Sequence, residues 1–462
     1  MTTNRAWDKH PATYRHREIQ IIANWIANGM SGSVVGLPGI GKSNFLGFLC
    51  HRPEIIQSLL STNQIKIGLI PIDLNNLPDD SIATFYRVIL RAFYESQEHF
   101  EQTLQTTIDT IYQENKAFRD PFLVQSALRD LLIHFHKQQI RTVFVFDRFE
   151  DFGQTITPQM ANALRGLRDS FKDTLFYVMG MRQEVTYLSD PTILGELYEI
   201  LDTNICWVWP MNDEDANLLI RQETHLHSTQ PSITDIEMFL ALSGGFPSLL
   251  KTICSWWKVN GDRYPEQQWL EILLDDHAVI YRLEEIILGL NQEELLTLME
   301  MDKIYGRKQS TNPLSKSEQV LNRLTEKGIC TFNNNEWCTA SALLSAHIAN
   351  VRGQGKGRIW LDAQTEEIYQ GNNLIQSLTP LEREVLHFLL RYPRIRHTKT
   401  DLIIGAWPQD MRTEGVTDDS LYQVIGGLRK KIEPIPTRPS YLVNWRGQPE
   451  GGYQLFPEGK PS

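Results

Sequence analysis

The sequence predicts an α/β fold in which a parallel sheet, covered on both faces by helices, is wrapped around a glycine-rich loop. Three observations lead there. An apolar strand at 33–37 runs into Gly36-Leu37-Pro38-Gly39-Ile40-Gly41-Lys42-Ser43, and a helical pattern carrying Phe45, Leu46, Phe48 and Leu49 follows at once. Further apolar runs at 65–72, 142–146, 175–179 and 205–209 alternate with helical patterns at 82–94, 122–135 and 160–171. Strands that alternate with helices pair in parallel and are buried on both sides. From 213 to 261 the pattern turns wholly helical.

Before the loop, Ile19, Ile22, Ala23 and Ile26 mark one face of a helix. Beyond 280 the pattern changes again. Helices are expected at 286–301 and 317–326, followed by strands at 328–332 and 336–339 around an Asn-rich turn, which is the outline of a winged helix. Gly353, Gly355 and Gly357 mark a flexible joint. After it come a small hairpin at 358–363 and 366–369, helices at 379–391, 400–406 and 417–432, and strands at 441–444 and 453–456. The expected domains are therefore 1–212, the sheet core; 213–275, a helical lid; 276–352, a winged helix; and 356–462, a separate C-terminal domain.

With 462 residues the chain is too long for a single core. Its 41% hydrophobic and 22% charged residues are ordinary for a globular protein, and no apolar run reaches the roughly 18 residues of a membrane helix. The N-terminus lacks the apolar stretch of a signal peptide. Five scattered cysteines without a Cys-x-x-Cys pair point to reduced thiols, so a cytoplasmic location is expected. The net charge of −11 argues against a surface coated for non-specific nucleic-acid binding, although a local basic surface is compatible with it.

The loop supplies the chemistry. Gly36, Gly39 and Gly41 let successive backbone N–H groups point inward at phosphate oxygens, Lys42 adds a cation for the β and γ phosphates, and the Ser43 hydroxyl can ligate Mg²⁺. The helix that begins at Lys42 turns its positive dipole end to the same anion. Together with Ile40 and Asn44 these residues form the expected nucleotide-binding set. The apolar strand 142–146 ends in Asp147, placed to hold Mg²⁺, and a nearby acid can orient or deprotonate the attacking water: Glu150 is favoured and Asp151 is the alternative. Arg182, at the tip of the strand 175–179, is a candidate for sensing the γ phosphate. The only match to a guanine-reading motif, Thr398-Lys399-Thr400-Asp401, falls at a helix start where capping explains it, so ATP is expected rather than GTP. His134 with His136, and His225 with His227, lie two apart on helices and face different ways, which argues against metal ligation.

The first 350 residues resemble the STAND class of signal-transduction ATPases, related to the AAA+ proteins. The resemblance rests on Tyr14-Arg15-His16-Arg17-Glu18, the phosphate loop, Phe146-Asp147-Arg148-Phe149-Glu150-Asp151-Phe152, and Gly244-Gly245-Phe246-Pro247. It implies nucleotide contacts from Arg17 and Pro247, a slow ATPase acting as a switch, and self-association on ATP. The sequence departs from the class in carrying Arg148 where many relatives have a second acid.

Residues 358–457 resemble the OmpR-type winged helix of response regulators, on the leading hairpin, Leu378-Thr379-Pro380-Leu381-Glu382, Trp407, Leu428-Arg429-Lys430-Lys431-Ile432, and Arg446-Gly447 before Gly452-Tyr453. The resemblance implies DNA as partner, with Arg429, Lys430, Lys431 and Arg446 on phosphates and Ser420, Tyr422 and Gln423 at bases. Asp419, Gly426 and Gly427 depart from the usual basic recognition helix, and over 356–462 the 14 Lys and Arg nearly balance the 13 Asp and Glu. The expected function is an ATP-switched DNA-binding transcription regulator. The rival is a signalling ATPase whose winged helices dock protein. A small-molecule enzyme is disfavoured, since no substrate motif is present.

Overall fold

The computed structural model describes residues 7–60, 65–74, 77, 79–149, 156–188, 191–227, 229–305, 314–333, 336–351, 357–362, 365–371, 373–407, 417–447 and 450–460. Two units emerge: Met1–Thr297 with Lys303–Ser345, and Leu298–Asp302 with Ala346–Ser462.

In the first unit, α1 (His16–Ala27) buries the expected stripe of Ile19, Ile22, Ala23 and Ile26, joined by Glu18 and Trp25. The chain continues through β1 (Gly32–Val35), α2 (Lys42–His51), α3 (Pro53–Leu60), β2 (Lys66–Asp73), α4 (Ile82–Glu95), α5 (Gln102–Asn115), α6 (Pro121–Lys137), β3 (Ile140–Asp147), α7 (Pro158–Ser170), β4 (Leu175–Met181), α8 (Leu197–Thr203) and β5 (Ile205–Trp207). Local chemistry sets the helix starts. Ser81, Asp120 and Thr157 accept from the first-turn N–H groups of α4, α6 and α7, and proline occupies the first turn of the last two.

The five strands form one parallel sheet in the order β2-β3-β4-β1-β5. Strands β1 and β4 are buried along their whole length, as a sheet covered on both faces requires. After β1 the chain crosses to the far edge and returns through β3 and β4, so the phosphate loop leaves the sheet at a topological switch point, where open α/β sheets place ligands. One side of the sheet is packed with aromatic rings: Phe93 meets Phe135 edge-on at 5.2 Å, and Phe144 stacks on Tyr177 at 5.9 Å. Each such pair adds roughly 0.5–1.5 kcal/mol beyond the area it buries.

Helices α9 (Asp213–Thr224), α10 (Ile233–Ser243), α11 (Pro247–Asn260), α12 (Trp269–Leu274), α13 (His277–Leu288), α14 (Gln292–Tyr305) and α15 (Leu314–Glu326) follow, then the hairpin β6 (Cys330–Asn333) and β7 (Glu336–Thr339), and α16 (Ala342–Val351). The single helix expected at 286–301 is two. A Cβ on Gly289 would lie 2.6 Å from Leu37 and 2.8 Å from Pro38, so the chain needs a glycine there to pass the phosphate loop. Asn291 and Glu294 then exchange side-chain and backbone hydrogen bonds, both 2.9 Å, and start α14 afresh. Beside this start, Lys327 is 2% exposed and sits 2.7 Å from Glu294 and 3.9 Å from Glu184.

In the second unit, β8 (Ile359–Leu361), β9 (Ile368–Gln370) and β10 (Asn373–Leu374) form an antiparallel sheet. Then come α17 (Pro380–Arg391), β11 (Arg396–Thr398), α18 (Lys399–Ala406), α19 (Asp418–Ile432), β12 (Leu442–Trp445) and β13 (Gly452–Leu455), the last sheet having the order β11-β13-β12. Val385, Leu389, Leu402, Leu421, Leu428 and Leu442 meet in its core. This is a winged helix. Thr398 and Asp401 form a capping box at the start of α18, the role expected for that tetrad. Gly427 has a packing reason, because a Cβ there would fall 2.1 Å from the Glu382 carboxylate. Among the described residues no helix is long and apolar enough to cross a membrane.

Candidate functional site

Between β1 and α2 the chain folds into a cradle that side chains would fill. Gly39 and Gly41 have φ of +79° and +89°, and Cβ atoms on Gly36 and Gly39 would lie 2.8 Å from Ile40 and 2.2 Å from Ser248. Left-handed backbone of this kind turns successive N–H groups to one side, which is the geometry of an anion nest. Gly41 is the N-cap of α2, so the helix dipole opens at Lys42. The Lys42 ammonium, only 7% exposed, lies 3.2 Å from Asp147 Oδ1 at the tip of β3. A cation and a carboxylate therefore converge from two elements 105 residues apart in the chain. Strand β4 runs between them, and Gly180 makes the crossing possible: a Cβ there would come within 3.1 Å of Asp147 Oδ1.

The cradle opens into a cleft of about 1180 Å³. Ser43 and Asn44 at the start of α2 line it together with Arg148, Arg182, Tyr14, Pro247 and Ser248, and Tyr281, Glu284 and Leu288 of α13 face it. Helix α11 is tied to the cradle by the Ser248 N–H, which donates to the Gly39 carbonyl at 3.1 Å. Pro247, expected from the resemblance, lies in this wall, where its ring would meet a Cβ on Gly41 at 3.4 Å. Among the described residues the Ser248 hydroxyl is buried without a hydrogen-bond partner. Burial raises the Tyr14 pKa above its ordinary value. His10, whose ring is tilted against Tyr14 with centroids 4.2 Å apart, is pushed toward its neutral form by burial and by Lys251 and Arg15.

The structure separates the two arginines of the N-terminal motif. Arg15, left-handed at φ +54° ahead of α1, turns back and donates to the carbonyls of Ile40 (2.8 Å) and Trp209, and pairs with Glu18 at 3.5 Å. Arg17, the second residue of the helix, instead lies over the Trp209 ring at 3.6 Å. The residue that braces the phosphate loop is thus Arg15, and sequence reasoning fixed on its neighbour because the turn before α1 carries no glycine to reveal its conformation. Lys251 and the α13 acids were also missed, since no local pattern announces a residue that reaches a cleft from a distant helix. Glu150 and Asp151 lie outside the described residues.

In the second unit, α19 presents Tyr422 (45% exposed), Gln423 and Lys430 to solvent, with Ser420 half-buried, and Arg446 is exposed beyond β12. Two expected phosphate contacts are committed elsewhere. Arg429 donates to the Leu442 carbonyl (2.7 Å) and to Asn444 (2.5 Å), and Lys431 is held by the Ser377 carbonyl (2.7 Å) and by Glu382. Both sit in the last turns of α19, where the helix must be fastened to β12 and α17. Lys399, missed in the sequence, reaches the exposed face: its ammonium bonds Asp418 (2.5 Å) and the Tyr422 hydroxyl (2.6 Å).

Residues 373–455 match the family described as transcriptional regulatory protein, C terminal. They form a C-terminal regulator domain of the OmpR type. Over the remainder, solved structures with similar outlines include a Walker-type ATPase of Pyrococcus abyssi (15% identity, 72% of this chain and 95% of that chain, TM-score 0.40). The ORC2 protein of Aeropyrum pernix in its ADP form is another (12%, 74% and 94%, 0.39). A third is the Thermotoga maritima RuvB branch migration motor (13%, 70% and 90%, 0.27). A comparison with curated proteins returns no significant match. The fold of the first unit is that of a P-loop NTPase, read from its own strand order and loop.

Proposed function

We propose that the first unit binds ATP with Mg²⁺ and that nucleotide occupancy governs DNA binding and transcription through the C-terminal winged helix. The observation that carries the reading is the convergence of Lys42 and Asp147 at the mouth of a glycine cradle. The cradle would hold the β and γ phosphates by backbone N–H groups, Lys42 would neutralise them, and Ser43 with Asp147 would ligate Mg²⁺. Helix α13 supports a switch, because Gly289 at its end packs on Leu37 and Pro38 of the loop and its face lines the cleft. A change in the loop on loading nucleotide is therefore felt directly by the helices that follow. ATP-driven self-association would raise the effective concentration of a weakly basic DNA-binding face.

The test is DNA binding by the full-length chain with ADP and with a non-hydrolysable ATP analogue, across a salt series. Tighter, salt-sensitive binding with the ATP analogue supports the reading. Equal affinity in both nucleotide states would sink the coupling, and no binding at moderate salt would sink the DNA assignment.

A further inference from the structure

The residue after the Mg²⁺ acid has an unusual backbone. Arg148 is one of the few non-glycine residues in left-handed conformation, with φ +53°. Such a conformation is costly for a residue with a Cβ and persists where its surroundings hold it. Here the holder is the preceding carboxylate itself, since the Arg148 N–H donates to Asp147 Oδ1 at 2.9 Å, the same oxygen that faces Lys42. The Arg148 side chain is exposed and lines the same cleft as Ser43 and Arg182, and its guanidinium has no hydrogen-bond or ion-pair partner among the described residues. A left-handed turn has thus placed an uncommitted cation in the cleft lining, next in the chain to the carboxylate that faces Lys42.

We infer that Arg148 is the reader of the terminal phosphate, the residue by which the site distinguishes a nucleoside triphosphate from a diphosphate. The inference rests on the nucleotide reading of the cleft and goes beyond it. The cradle N–H groups and Lys42 are available to both nucleotides, whereas the extra charge of the triphosphate falls toward the strand tips, where Arg148 stands. A guanidinium offers planar, paired donors suited to phosphate oxygens. It cannot serve as a base at any accessible pH, because it stays protonated. A cation at this position therefore holds the terminal phosphate and lengthens the life of the loaded state, where an acid would help align water.

The experiment is calorimetric titration of the full-length chain with Mg²⁺ and either ADP or the non-hydrolysable analogue AMP-PNP. The proteins are wild type, Arg148→Ala, Arg148→Gly and Arg148→Lys. Glycine accepts the left-handed backbone without strain, so it separates loss of the charge from damage to the turn. Alanine and glycine should each weaken AMP-PNP binding about 10- to 100-fold, the range of a charge-assisted hydrogen bond, and change ADP affinity by less than about threefold. Lysine should recover part of the preference. An unchanged AMP-PNP to ADP ratio, or an equal loss for both nucleotides, overturns the inference while leaving the cradle intact. A wild-type chain that binds neither nucleotide overturns the nucleotide reading and this assignment with it.

Discussion

The Asp147 carboxylate reaches the Lys42 ammonium, 3.2 Å away, across a strand that has no side chain at the point of crossing. Gly180 is that point. A Cβ there would lie 2.5 Å from Leu46 Cδ1, 3.1 Å from Asp147 Oδ1 and 3.2 Å from the Phe146 carbonyl. Gly180→Ala should cost about 1–3 kcal/mol through overpacking and push Asp147 away from Lys42. Chemical denaturation would measure the first effect, and weakened Mg²⁺-dependent nucleotide binding the second. A variant as stable as wild type with unaltered binding would show that the crossing tolerates a methyl group.

Lys42→Ala should remove most nucleotide affinity and leave the fold in place. The ammonium is buried at the mouth of the cradle, but its partner Asp147 is partly exposed, so water can solvate the carboxylate it leaves behind. Titration with ATP and a thermal melt separate the two effects. Near-native affinity would exclude the cradle as the phosphate site.

Glu150→Gln should bind ATP as wild type does and hydrolyse it far more slowly, since an amide cannot take a proton from water. Single-turnover hydrolysis beside Asp151→Asn decides the assignment. Stalled turnover in Asp151→Asn alone would exchange the roles of the two acids.

Lys327 is a buried ammonium between two carboxylates, and the pH response follows from that arrangement. Burial raises the Glu184 pKa above its ordinary value, with Lys327 opposing the shift. A carboxyl whose folded pKa is raised contributes stability that is fully present below the unfolded value and is lost as pH rises through the folded one. At neutral pH an ionised Glu184 is therefore a liability. Glu184→Gln should be at least as stable as wild type at pH 7, with its advantage shrinking as pH falls toward the ordinary carboxylate range. Lys327→Met should behave oppositely: it strands Glu294, which is 0% exposed, and should cost about 3–5 kcal/mol. Denaturation curves at several pH values read both.

On the C-terminal unit, Lys430→Ala and Arg446→Ala should weaken DNA binding and reduce the salt slope by about one each, with no change in melting temperature. Arg429→Ala and Lys431→Ala should first lower stability, by about 1.5–3 kcal/mol, the scale of hydrogen bonds to charged groups. Fluorescence anisotropy across a salt series, paired with melts, tells the two pairs apart. If all four variants lose only DNA affinity, the internal bonds of Arg429 and Lys431 carry little.

What could be read from the sequence was what local periodicity encodes. The strands of the parallel sheet and the helices 82–94, 122–135, 379–391 and 417–432 fall within a few residues of β1 to β5, α4, α6, α17 and α19. The strand β11, three residues long, and the helix α5, with its two buried apolar residues Leu104 and Ile108, left too little pattern to see. The break at Gly289 was missed because apolar periodicity continues through it, although Asn291 and Glu294 spell a capping box. The cradle was legible because its chemistry is contiguous. Arg15, Lys251 and Lys399 were not, because each acts through a turn or a fold contact that spacing does not encode.

The carboxylate of Glu433, wholly buried, accepts hydrogen bonds from the N–H groups of Ser440, Tyr441 and Leu442 and from the Ser440 hydroxyl. It directly follows α19, and the groups it gathers lead into β12. One side chain thus rivets α19 to β12, and the two must travel as a single rigid body. The span between α19 and β12 is then a fixed ruler set by that carboxylate, so any change of spacing has to come from outside this pair.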